Sequence, residues 1–96
     1  MRNVLLIAAM LAFSAPALAA EPPPPGASSC SGCHPAGRSV DSTVPRLNGR
    51  DAAQLAAAVQ EFRSGKRPST VMDRIAKGFT DDEIKAIAAW YAAQKD

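Results

Sequence analysis

Cys30, Ser31, Gly32, Cys33 and His34 spell C-x-x-C-H, and they contain both cysteines and the single histidine of a 96-residue chain. This is the spacing of a c-type haem attachment, in which each thiol adds to a haem vinyl group and the adjoining imidazole ligates the iron. On a helical turn, positions i and i+3 share a face, so both sulfurs reach one porphyrin edge while the next residue turns its ring toward the metal. The motif therefore predicts a fold organised around one covalently attached haem.

Other readings of these residues are weaker. A structural zinc site takes about four ligands, more than these two thiols and one imidazole provide. A thioredoxin-like redox pair belongs beside a strand-helix-strand pattern, whereas Pro35, Gly37, Pro45 and Gly49 break the segment after His34. A plain structural disulfide accounts for the thiols and leaves the adjacent histidine without a role.

The chain begins as a secretory signal does. Arg2 supplies a positive start, Val4 through Phe13 are apolar, and Ala17-Leu18-Ala19 is a small-x-small cleavage site, giving an expected leader over residues 1–19. The apolar run is roughly half of what spans a bilayer as a helix, so no stable membrane span is expected once the leader is removed. Export to the periplasm suits the motif, because bacterial chains receive covalent haem on the outer side of the inner membrane. Removing Arg2 lowers the formal net charge from +2 to +1. That balance lacks the basic excess of a nucleic-acid binder, so no nucleic-acid partner is expected.

Residues 20–26 contain the run Pro22 to Pro25 and read as a polyproline II spacer. The haem domain proper is residues 27–96, close to the lower limit for a self-sufficient hydrophobic core. A haem would supply the apolar centre, and without it the chain is expected to be largely unfolded. A brief first helix is expected from Ala27 to Cys33, stopped by Pro35. Residues 35–50 read as an irregular loop. A second helix starts at Asp51, which can cap it together with Gln54, buries Leu55, Val59 and Phe62, and ends at Gly65. A short turn over Val71 to Lys77 closes at Gly78. The last helix has the fullest start signal: Thr80 as N-cap, Glu83 completing a capping box, and Phe79 positioned to staple onto Ile84. Asp81 and Asp82 favour the positive end of its dipole, and Ile84, Ile87, Ala88 and Tyr91 form its core stripe with Trp90 at the edge. The expected fold is all-α, with three to four short helices wrapped around the haem.

Behind the leader, Met72 is the one methionine left. An electron-carrying c haem typically takes a thioether as its second axial ligand, so Met72 is the candidate opposite His34. An iron-bound imidazole normally gives its other N–H to a carbonyl or carboxylate. Pro45 offers a carbonyl with no N–H of its own, although a plain turn role also fits it. Leu47 would cover the haem face. Arg63, Lys66, Arg67, Arg74 and Lys77 gather in sequence near Met72, either as a solvated face or as a basic collar around the haem edge, with Arg67 the first choice for a haem propionate.

These residues resemble the class I cytochrome c family. The haem motif, Val44 to Gly49, Phe62 to Pro68 and Val71 to Ile84 look most like the cytochrome subunit of flavocytochrome c sulfide dehydrogenase, here in a single-haem form. In such proteins the proline matching Pro45 accepts the histidine N–H, and the methionine matching Met72 ligates iron. The chain departs from many members in the short helix before Cys30, which leaves the usual packing partner of Tyr91 in question. The resemblance implies an electron carrier rather than an enzyme, with redox proteins as partners, among them a flavoprotein that oxidises sulfide. A free periplasmic shuttle to an oxidase or other respiratory complex is the alternative. A haem sensor or peroxidase-like protein would need Met72 off the iron.

Overall fold

A computed structural model describes Ala12, residues 21–37 and residues 41–95. The expected leader, apart from Ala12, lies outside the described residues, as do Arg38 to Val40 within the loop. Four helices follow in order: α1 (Ala27–Cys30), α2 (Ala52–Ser64), α3 (Met72–Ala76) and α4 (Asp81–Ala92). No strand occurs among the described residues, in keeping with the all-α expectation. Among those residues, no helix is long and apolar enough to cross a membrane.

The helix ends follow local chemistry. The Asp51 carboxylate accepts the Gln54 amide N–H at 2.9 Å to open α2, and Gly65 closes it in the left-handed region at φ 82°. At α4, Thr80 Oγ1 accepts the Glu83 N–H at 3.2 Å while Glu83 Oε1 accepts the Thr80 N–H at 3.0 Å, the full reciprocal box. The first helix is shorter than expected. Its α-helical part ends at Cys30, and Ser31 to Cys33 continue as turns. Gly32 propagates a helix poorly, and Pro35 pushes His34 away from helical geometry. The amide of His34 still donates to the Cys30 carbonyl at 2.9 Å, so the motif keeps one helical curve.

The core lies where α1, α2 and α4 meet. Ala27, Leu55, Ala88 and Tyr91 are buried together, with Cys30, Leu47, Ala56, Ile87 and Trp90 packed around them. Ala76 and Ile84 are buried under α3 and α4. Small residues at 27 and 88 stand where α1 approaches α4 in the core. Tyr91 fastens the approach: its hydroxyl donates to the Ala27 carbonyl at 2.5 Å and accepts from Ser31 Oγ at 2.9 Å. The short first helix therefore still engages Tyr91, through the Ala27 carbonyl and the Ser31 hydroxyl that follows it. The Phe79 side chain reaches in the same direction. At Gly26 (φ 86°) a Cβ would come within 2.4 Å of its ring, so only glycine fits there.

The proline-rich segment expected as a polyproline II spacer makes two contacts with the helices. Trp90 Nε1 donates to the Glu21 carbonyl at 3.1 Å, and the Pro24 carbonyl accepts the Ala27 N–H at 3.1 Å. The Trp90 and Tyr91 rings meet edge to face, centroids 4.9 Å apart. Both aromatic residues therefore serve packing, as their place on the helix predicts.

Candidate haem site

The loop after the motif is held at both ends. The Gly49 amide donates to the Tyr91 carbonyl at 3.0 Å, anchoring the loop to α4. The Asn48 side-chain amide donates to the Ala36 carbonyl at 3.3 Å, anchoring it to the segment behind His34. Between these ties the Pro45 carbonyl lies 2.5 Å from His34 Nδ1. A carbonyl only accepts, so this contact places the ring proton on Nδ1 and leaves the Nε2 lone pair for a metal. The prolyl nitrogen has no hydrogen, so no N–H of residue 45 competes for the imidazole.

Cys30 and Cys33 are both free thiols. Cys30 is half-buried against the core cluster, and burial pushes its thiol pKa up despite lowering hydrogen bonds from the Ser29 and Tyr91 side chains. Cys33 is exposed. Leu47 is half-buried against the cluster that holds Cys30. Met72 is carried separately, as the first residue of α3, where it is half-buried. Its neighbours Val71 and Ile75 are 48% and 38% exposed, which leaves an apolar strip along that helix.

The donor set suits a haem. Two reduced thiols at i and i+3, an imidazole with fixed tautomer and a thioether are the soft and borderline ligands that haem iron takes. Among the described residues, no group of three His, Cys, Asp or Glu side chains is placed to hold a metal ion.

The basic residues divide. Arg67 lies along α2, with Nε and Nη2 donating to Glu61 Oε2 at 3.0 and 2.8 Å and the guanidinium carbon 5.5 Å from the Phe62 ring centroid. Arg63 donates to the Phe79 carbonyl at 3.0 Å and to the Asp81 carboxylate. Lys66, Arg74 and Lys77 are exposed. Sequence reasoning did not find the Arg63 contacts, because residues 63 and 81 lie on different helices and share no local period.

An all-helical chain of this size, with a C-x-x-C-H turn whose histidine is oriented by a backbone carbonyl, has the architecture of a small c-type haem protein. The chain is 40% identical over 63 residues to the cytochrome subunit of sulfide dehydrogenase from Chlorobaculum tepidum, covering 66% of this chain and 57% of that protein. It is 36% identical to a thiosulfate dehydrogenase electron acceptor from Thiomonas intermedia, covering 99% of this chain and 45% of that protein. With cytochrome c-554(548) of Halomonas halodenitrificans it shares 31% identity over 70 residues, 69% of this chain and 84% of that one. No protein-family model matches the chain. The chain belongs to the class I cytochrome c family. It spans little more than half the length of the Chlorobaculum subunit and less than half that of the Thiomonas acceptor.

Proposed function

We propose that this chain is a periplasmic single-haem electron carrier that accepts electrons from a dehydrogenase acting on a reduced inorganic sulfur compound. When bound, the haem supplies a ferric/ferrous couple, and every other part of the function is positioning by the chain. Cys30 and Cys33 fix the porphyrin covalently. His34 Nε2 and Met72 Sδ would ligate its iron, and a neutral thioether ligand would favour the reduced state. The observation that carries this reading is the 2.5 Å contact between His34 Nδ1 and the Pro45 carbonyl, which supports the fixed tautomer and ring orientation of a metal ligand. Leu47, on the loop, would lie against the porphyrin. Arg67 spends Nε and one Nη2 proton on Glu61, leaving its remaining N–H groups for a propionate.

The partner class follows from the relatives, one named a sulfide dehydrogenase subunit and one a thiosulfate dehydrogenase acceptor. A free shuttle is the second reading, favoured by the Halomonas relative, a cytochrome that this chain nearly spans. The test mixes the holo-protein in turn with a flavoprotein sulfide dehydrogenase and with a thiosulfate dehydrogenase, each with its substrate, and follows haem reduction by stopped flow. Rapid reduction with co-elution supports the subunit role, and rapid reduction without co-elution supports the shuttle. Absence of reduction by either sulfide or thiosulfate dehydrogenase contradicts the sulfur-oxidising assignment.

A further inference from the structure

The helix that carries Met72 is poorly supported by its own sequence. α3 has five residues, too few to persist by backbone hydrogen bonding alone, and its N-cap, Val71, offers no side-chain cap. The local help at its start comes from Ser69, whose hydroxyl accepts the Asp73 N–H at 3.0 Å and lies 3.3 Å from the Asp73 carboxylate. Its far end is held differently. The Gly78 amide donates to the Ile75 carbonyl at 3.0 Å and the Phe79 amide to the Ala76 carbonyl at 3.2 Å. The carbonyl of Phe79 then accepts from Arg63 Nη1 at 3.0 Å, while Arg63 Nη2 pairs with Asp81 at the start of α4. One guanidinium thus joins the last turn of α2, the turn after α3 and the first turn of α4. The Arg63 side chain is 31% exposed, half the 61% of Asp81, so the donor is the better shielded member of the pair. A planar fork serves a carbonyl and a carboxylate at once, which a lysine ammonium on a flexible stem does less well.

We propose that Arg63 is a positioning residue for the axial thioether: by clamping the Phe79 carbonyl and Asp81 it fixes the end of α3, and through that helix it keeps Met72 on the iron. The inference rests on the His34/Met72 reading of the site. Because α3 is short, has no side-chain cap from Val71 and runs straight into the clamped turn, releasing the clamp lets Met72 leave the iron more often while the Tyr91 core stays closed.

The test compares holo-protein of wild type, Arg63→Met, Arg63→Lys and Met72→Ala by the weak methionine-to-iron band at the red edge of the ferric spectrum and by carbon monoxide binding to the ferrous form. Arg63→Met weakens the band and speeds carbon monoxide binding by about tenfold or more, the scale on which a lost charge-assisted hydrogen bond shifts a two-state equilibrium. Arg63→Lys, keeping a cation for one acceptor, falls between Arg63→Met and wild type. A merely structural Arg63 lowers the unfolding midpoint in Arg63→Met and leaves band and carbon monoxide binding at wild-type values, which overturns the inference. If Arg63→Met does not accumulate, Arg63→Lys decides alone, with faster carbon monoxide binding in support and wild-type binding against. A wild type without the band, or a Met72→Ala variant that keeps it, overturns the axial-ligand reading and this inference together. A band present in wild type, lost in Met72→Ala and intact in Arg63→Met overturns this inference alone.

Discussion

Single atoms decide how the haem motif joins the rest of the molecule. His34 is oriented by one backbone oxygen, and Tyr91 Oη is shared between Ala27 O and Ser31 Oγ, so the residue that follows Cys30 is tied to the C-terminal helix. Tyr91 sits at 3% exposure, and burial raises its phenol pKa, which keeps it a hydrogen-bond donor across the neutral range. Tyr91→Phe preserves the ring and strands the buried Ala27 carbonyl. The expected cost is about 1–3 kcal/mol, read as a lower midpoint in denaturant unfolding of the holo-protein. A midpoint equal to wild type would show that water replaces the hydroxyl. The cysteines, His34 and Met72 were legible as candidates because their residue types are rare in this chain and chemically committed. The Tyr91 bridge was not, since a hydroxyl reaching a backbone carbonyl far away in sequence leaves no periodic trace.

Among the elements, α4 is the best specified and α3 the least. Thr80 and Glu83 form the reciprocal box that their spacing predicts. Thr80→Ala should cost about 1 kcal/mol and lower the unfolding midpoint by roughly 4–8 °C. The Glu83 carboxyl is held below its ordinary pKa by the Thr80 backbone N–H, with the Thr80 hydroxyl second. A depressed folded-state pKa means that its contribution is complete above the unfolded value near pH ~4.3 and is lost as pH falls through the folded value. Thermal scans of wild type and Glu83→Gln should therefore converge on acidification from about pH 6 to about pH 3. A gap that stays constant across that range would show that the carboxylate charge is irrelevant to the cap. Helix starts were readable because capping is local chemistry within four residues. The end of α1 was misjudged by three residues, because the competition between a helical motif and Pro35 is settled by the glycine between the cysteines. The bond from Trp90 to the Glu21 carbonyl leaves no trace in the proline-rich spacer over 20–26, because a polyproline run does not reveal which distant side chain will reach its carbonyls.

The whole molecule has few large core side chains of its own. Among the described residues, the buried apolar set is Ala27, Leu55, Ala76, Ile84, Ala88 and Tyr91, half of it alanine, while Val71 and Ile75 beside Met72 remain exposed. A chain this small gains firmness from a further apolar body, and on the proposed reading a haem held by the motif and Met72 would provide it. The exposed cations Lys66 and Lys77 lie on the segment that carries Met72, where they can steer an acidic partner. Charge reversal at both should slow reduction by the dehydrogenase at low ionic strength and matter less as salt rises. An unchanged low-salt rate removes any steering role. The central claim, an iron held by His34 and Met72 in a covalently bound haem, is tested most directly by the optical spectrum and reduction potential of the exported protein beside its Met72→Ala variant. The account predicts a weak methionine-to-iron band in wild type, absent from the variant, and a potential lower by on the order of 0.1 V in the variant, within the roughly 0.8 V that axial ligands command. The same band and the same potential in both proteins would contradict it.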